Sequence, residues 1–205
     1  MLYRHYLLAG IPEEYMRYTE DDWFGDEDAL AAMDDYLKNW KGYRNYGIGL
    51  CFLSKTQGTG KTFLATYLAR QLILKNTAVV FRYFRQIAHL NEHLNEEGRL
   101  NEERRLREAG VLVLDDVIEG ISDKQRDLFE GRFEGIIRER SDHNRPTIIT
   151  TNLEPEELEK EYPRVYSLLA AKQKEIILAG GDVRKTDMLV VNIELAENKE
   201  IRPIS

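Results

Sequence analysis

A chain of 205 residues is long enough for one α/β domain with a full core and too short for two comfortable ones. Its 42% hydrophobic and 32% charged residues are ordinary for a globular protein, and no apolar run approaches the ~20 residues of a membrane span. A net charge of −7 argues against coating nucleic acid with the whole surface, although a local groove depends only on the few cations at the contact.

The opening Met1-Leu2-Tyr3-Arg4-His5 has no signal-peptide architecture, so a cytoplasmic protein is the expectation. The stretch to about residue 18 is aromatic-rich and irregular, turning at Gly10-Ile11-Pro12. Acid gathers in Glu20-Asp21-Asp22 and Asp26-Glu27-Asp28, either as a solvated approach to a helix or as a docking face for a basic partner. A helix is predicted over 26–40, with Leu30, Met33, Leu37 and Trp40 on one face and Lys41-Gly42 ending it. The apolar run 48–53 reads as a buried strand. Its thiol, Cys51, is the single cysteine, which excludes an intrachain disulfide.

Strands and helices then alternate. Helices are predicted over 62–75, 84–97, 102–109, 122–140, 154–161 and 165–171. Ser122 and Gln125 form a capping box at the start of the fourth of these. Strands are predicted over 78–81, 111–114, 147–150 and 175–178, with 188–195 as a further edge strand. Such alternation implies right-handed βαβ units and a parallel sheet covered on both faces. Residues 1–42 would be a helical appendage on a core of 43–205.

The strongest signal is Gln57-Gly58-Thr59-Gly60-Lys61-Thr62, set between a buried strand and a helix. Glycines allow a loop to turn its N–H groups inward onto a triphosphate, and the helix that follows offers its positive end. Lys61 would reach the β- and γ-phosphate oxygens of ATP, and the Thr62 hydroxyl would ligate Mg²⁺. The nucleotide-contacting run extends to Phe63, and Lys55 stands where the pattern G-x-x-x-x-G-K-[ST] has its first glycine.

A second signal is the strand ending in Asp115-Asp116. In P-loop NTPases the strand next to the phosphate loop supplies an acid for Mg²⁺, here Asp115. Asp116 stands where many ATPases keep a water-orienting glutamate and is one methylene shorter. A third is Thr147-Ile148-Ile149-Thr150-Thr151-Asn152: a strand lying between the first and third would bring Asn152 beside the γ-phosphate, although asparagine also ends strands as a turn former. The segment Phe81-Arg82-Tyr83-Phe84-Arg85 interleaves cations with aromatics. It could hold single-stranded DNA, or simply close a strand and open a core-facing helix. His89 and His93 are spaced i, i+4 and read as polar-face residues, because a helical pair without a third ligand rarely makes a metal site.

With these motifs in place the sequence resembles the DnaC/IstB-like branch of AAA+ ATPases, which includes helicase loaders and transposition helpers. The resemblance runs from Leu8-Ala9-Gly10-Ile11-Pro12 with Tyr15, through Gly58 to Ala65, Leu112 to Asp116 and Thr147 to Leu153, and ends at Gly181-Asp182-Val183-Arg184. It implies an AAA+ five-stranded parallel sheet flanked by helices, with a small or vestigial C-terminal lid. It also implies ATP hydrolysis with Mg²⁺, a homo-oligomer formed with ATP, and a replicative helicase and single-stranded DNA as partners.

By the same resemblance Asn152 corresponds to sensor 1 and Arg184 to the sensor-2 arginine, the latter otherwise a solvated turn residue. Arg164 is the candidate arginine finger, otherwise a surface residue starting a helix; many relatives carry a second arginine where Leu168 stands. Arg138, Arg140 and Arg145 are reserves near a subunit edge. An extra helix facing the central channel maps to 91–107, which makes Arg82, Tyr83, Arg85, Arg99, Arg104, Arg105 and Arg107 candidate DNA contacts. Loaders usually add an N-terminal module that grips the helicase, whereas a short segment precedes the core here. A transposition helper ATPase, a P-loop phosphotransferase acting on a small molecule, or an ATP-binding switch with little turnover are the alternatives.

Overall fold

The computed structural model describes residues 2–117 and 123–182. Helix α1 (Leu2–Ala9) and two short 3-10 turns lead to α2 (Glu27–Lys38) and α3 (Trp40–Tyr46). Then come β1 (Gly49–Leu53), α4 (Lys61–Leu74), β2 (Val79–Tyr83), α5 (Phe84–Ala88), α6 (Leu90–His93), α7 (Glu96–Glu108) and β3 (Val111–Asp115). The remainder is α8 (Asp123–Asp142), β4 (Thr147–Thr151), α9 (Pro155–Glu161), α10 (Pro163–Ala170) and β5 (Gln173–Ile177).

The five strands form one parallel sheet in the order β2-β3-β4-β1-β5, so β4 lies between β1 and β3, which are not neighbours. The three inner strands are buried at every residue, as the unbroken apolar runs require of strands covered on both faces. The pleat sends alternate residues to opposite faces. Leu50, Phe52, Phe81, Val113 and Ile148 meet the N-terminal segment, α2, α3 and α4. Leu53, Val80, Leu112, Leu114 and Ile149 meet the helices from α5 to α10. All the strands end on one rim, and there the phosphate loop, Asp115 and Asn152 gather.

Several boundaries differ from the sequence expectation. Gly42 does not end the second helix: a Cβ there would meet nothing within 4 Å, and the chain runs on through α3 to Gly47. At Gly47 φ is +69° and a Cβ would fall 2.6 Å from the Asn144 Cα, so only glycine fits. The break predicted after 97 comes earlier, because the Asn95 side chain accepts from the Gly98 N–H and caps α7 at 2.8 Å. The division expected at 42/43 falls inside α3, and Tyr6, Ile11, Met16 and Trp23 share a core with the sheet. The 188–195 strand, the Ser122 cap and any C-terminal lid lie outside the described residues. No helix among the described residues is long and apolar enough to cross a membrane.

Acidic residues before α2 act as caps. Asp22 Oδ2 accepts from the Thr19 N–H at 2.7 Å and from its hydroxyl at 2.9 Å. Asp26 Oδ1 accepts from the Asp28 and Ala29 N–H groups, and Oδ2 from the Ala179 N–H at 2.7 Å. These bonds, the one from Ala179 foremost, hold the Asp26 carboxyl below its ordinary value.

Candidate functional site

Between β1 and α4 the chain turns through Gly58 (φ +77°) and Gly60 (φ +90°). A Cβ on Gly60 would lie 2.5 Å from the Trp23 ring, so close packing as well as φ demands glycine. Lys55, at the first-glycine position, is 67% exposed and sits 3.6 Å from Glu154. Lys61, the first residue of α4, is only 6% exposed, with Nζ 3.4 Å from the carbonyls of both Ser54 and Thr56. A buried ammonium at the positive end of a helix is an anion receptor.

Opposite it, Thr62 donates to Asp115 Oδ2 at 3.0 Å, with Oδ1 at 3.2 Å. Thr150, from β4, donates to Asp115 Oδ1 at 2.6 Å and accepts from the Asp116 N–H at 2.9 Å. The Asp115 carboxyl is fully buried, and its pKa is raised to about 6. Burial is the main cause, opposed by the Thr150 bond, helped by Asp116, and opposed again by Thr62 and Lys61. Asp116 turns out of the strand with φ +55°, a conformation uncommon outside glycine and easiest for Asn and Asp. Asn152, just beyond β4, lines the same cleft as Asp116 and Lys61, as its place in the strand order leads one to expect.

No family model matches the chain, and no curated protein matches it. Solved structures do. The crystal structure of the DnaI superposes with a TM-score of 0.68 at 22% identity, over 82% of this chain and 95% of that one. A crystal structure of the DnaC helicase loader gives 0.64 at 22%, over 82% and 100%. The replication initiator DnaA bound to AMPPCP and single-stranded DNA gives 0.62 at 22%, over 94% of this chain and 57% of that one. The chain shares the fold of these replication proteins.

Within this fold the phosphate loop is one wall of a cleft of about 430 Å³. The facing wall went unrecognised in the sequence: Glu14, Tyr15, Tyr18, Asp22, Trp23 and Phe24. Phe63 packs into it at a tilt, with ring centroids 5.3 Å from Trp23 and 5.5 Å from Tyr18. The aromatic density before residue 24 was its one signal, without period or spacing to assign a role. Thr150 was likewise visible only as a strand residue.

The arginines separate by environment. Arg164, opening α10, is 84% exposed, with Glu134 3.8 Å away. Arg138 is exposed and pairs with Glu134 at 2.7 Å, and Arg145 donates to the Arg107 carbonyl at 2.8 Å. Arg140 cannot be a finger. It is fully buried, and its guanidinium donates to the carbonyls of Leu106, Arg107, Ala109 and Pro146 and to the Thr147 hydroxyl. Burial, with Arg145 nearby, pulls its pKa down to about 9. Arg184 lies outside the described residues.

The cations expected to meet DNA also divide. Arg82 is drawn inward, at 2.6 Å to Glu102 and 2.6 Å to the Phe81 carbonyl. Arg105 bonds to the Leu8 carbonyl, and Arg107 to Glu139 at 2.8 Å. Arg85, near the Tyr83 ring, and Arg104 are exposed, while Arg99 is half-buried on α7. Tyr83 pairs in register with Asp115, and burial together with that carboxylate raises its phenol to about 12.

Proposed function

We propose that this protein is a replication-type AAA+ ATPase that binds ATP with Mg²⁺ and, as a nucleotide-driven oligomer, places a replicative helicase on single-stranded DNA. The observation carrying the ATPase reading is the Thr62 hydroxyl on the Asp115 carboxylate, beside a glycine cradle with a buried lysine. Neighbouring hydroxyl and carboxylate oxygens are the hard donors that suit Mg²⁺. The likeness to DnaI and DnaC helicase-loader structures supports the choice of client.

In this reading Lys61 and the loop N–H groups hold the β- and γ-phosphates, while Thr62 and Asp115 hold Mg²⁺, which offsets phosphate charge when bound. Asp116 takes the proton from the attacking water and Asn152 orients that water. Arg164 of a neighbouring subunit and Arg184 stabilise the charge that develops on the γ-phosphate. Among the DNA candidates, Arg85 and Arg104 are the exposed cations best placed to meet a strand, Arg104 also donating to Asn101, whereas Arg82 is drawn inward to Glu102.

The test is steady-state ATP turnover with and without single-stranded DNA, for the native chain and Lys61→Ala, with light scattering for size. DNA-stimulated turnover lost in Lys61→Ala, with assembly on ATP, supports the loader. Tight ATP binding without turnover would leave an assembly switch in place of an enzyme. A monomer that consumes ATP only with an added metabolite points to a phosphotransferase.

A further inference from the structure

The residue that holds the aromatic wall against the phosphate loop is Arg70. It lies on α4, the helix that begins at Lys61, and is only 9% exposed. Its Nη1 donates to the main-chain carbonyls of Tyr15 at 2.7 Å and Tyr18 at 2.5 Å. The guanidinium also lies 5.7 Å from the Tyr6 ring centroid and 5.9 Å from that of Tyr67. Among the described residues no carboxylate comes within ion-pair distance of it. Buried cations are ordinarily paired, so a guanidinium given over to two carbonyls and two rings marks a place where chain position matters more than charge balance.

The two carbonyls belong to residues whose side chains line the cleft. On the same helix, Phe63 and Tyr67 stack with centroids 6.4 Å apart, and Phe63 in turn meets Tyr18 and Trp23. Residues 63, 67 and 70 fall on one helical face, so α4 carries the phosphate-binding residues at its start and the anchor of the opposite wall further along. The segment from 10 to 26 has only short 3-10 turns of its own, so tertiary contacts hold it: Ile11, Met16 and Trp23 in the core, and Arg70 on the carbonyls of Tyr15 and Tyr18.

We propose that Arg70 is a positioning residue for nucleobase recognition, locking the Tyr15–Tyr18 wall to the phosphate-loop helix so that base and phosphates are met together. This rests on the reading that the cleft takes a nucleoside triphosphate. Arg70 touches neither base nor phosphate; it acts through the main chain of the wall.

The experiment is titration calorimetry on the full chain with ATP and, separately, with inorganic tripolyphosphate, which has phosphates and no base. Arg70→Ala weakens ATP by roughly tenfold or more, the scale of one lost aromatic stacking contact, and leaves tripolyphosphate within about twofold. Arg70→Lys, a point donor without the planar fork, recovers part of the ATP affinity. Equal weakening of both ligands, or unchanged ATP affinity, overturns the proposal. Should Arg70→Ala not fold, the same split between ligands in Arg70→Lys decides it. A native chain that binds neither ligand overturns the nucleotide reading itself. One that binds tripolyphosphate as tightly as ATP overturns the role of Arg70 alone.

Discussion

The Thr150 hydroxyl on β4 bridges the two acids that end β3, donating to the Asp115 carboxylate at 2.6 Å and accepting from the Asp116 N–H at 2.9 Å. One oxygen therefore sets both the rotamer of the metal-binding candidate and the outward turn of the water-activating one. Because Asn152 follows directly on the end of β4, the hydroxyl ties these three residues into one rigid unit.

Thr150→Val keeps the shape and deletes both bonds. The expected cost is about 1–3 kcal/mol of stability, since a buried N–H and a carboxylate each lose a partner. Turnover of ATP should fall by roughly ten- to hundredfold, mostly in kcat, because the acids lose their geometry while the phosphate loop is untouched. Thermal unfolding and Michaelis kinetics together check this. An unchanged kcat would show that Thr150 is only a strand residue.

Asp115→Asn should make the nucleotide-free fold more stable while abolishing Mg²⁺-dependent turnover. With the carboxyl at about 6 in the fold and near 3.9 unfolded, the fold binds the extra proton between those values. The native chain is therefore relieved of the buried charge below about pH 4 and bears its full cost above about pH 6. The gain in stability from Asn should be clear at pH 8, at most about 3 kcal/mol, and nearly absent at pH 3.5. Scans without nucleotide at the two pH values measure it, and an equal gain at both would contradict the buried-charge account.

Arg140 and Arg164 should respond oppositely. Arg140→Ala strips five hydrogen bonds from a fully buried group, and a loss of about 3–5 kcal/mol is expected. Arg164→Ala, at an 84% exposed position, should shift stability by less than about 0.5 kcal/mol and still bind nucleotide. Its turnover should collapse and be partly restored by mixing with subunits carrying Lys61→Ala, which supply the arginine. Failure of that complementation would remove Arg164 as the finger.

Asp26→Ala removes the cap of α2 and the bond from Ala179, and should cost roughly 1–2 kcal/mol at neutral pH. The carboxyl is held below its ordinary value, so its contribution is present above the unfolded value and lost as pH falls through the folded one. The difference between native and variant, followed by urea unfolding, should therefore shrink below about pH 4.

The sheet and the phosphate loop were legible because their signals are local: apolar runs of strand length, a glycine-lysine turn, a strand ending in acids. The place of β4 between β1 and β3 followed from reading Asn152 as a γ-phosphate neighbour. The Trp23 wall was hidden because it pairs an irregular segment with a helix face far along the chain, and no period records such a contact. Arg140 was misassigned for the same reason, since an arginine near a helix end looks exposed until four carbonyls close around it. Gly42 is the helix stop the local sequence offers, and only the backbone of Asn144, distant in sequence, makes Gly47 the one that requires glycine.

The way Arg140 is held carries a lesson for comparing relatives. Four of its five acceptors are main-chain carbonyls, which every residue type supplies, so the side chains around it can drift while the arginine cannot. In an alignment it would stand out as an unchanging cation among changing neighbours, the pattern usually taken to mark a catalytic group. Here that pattern would record only a joint between α7 and β4.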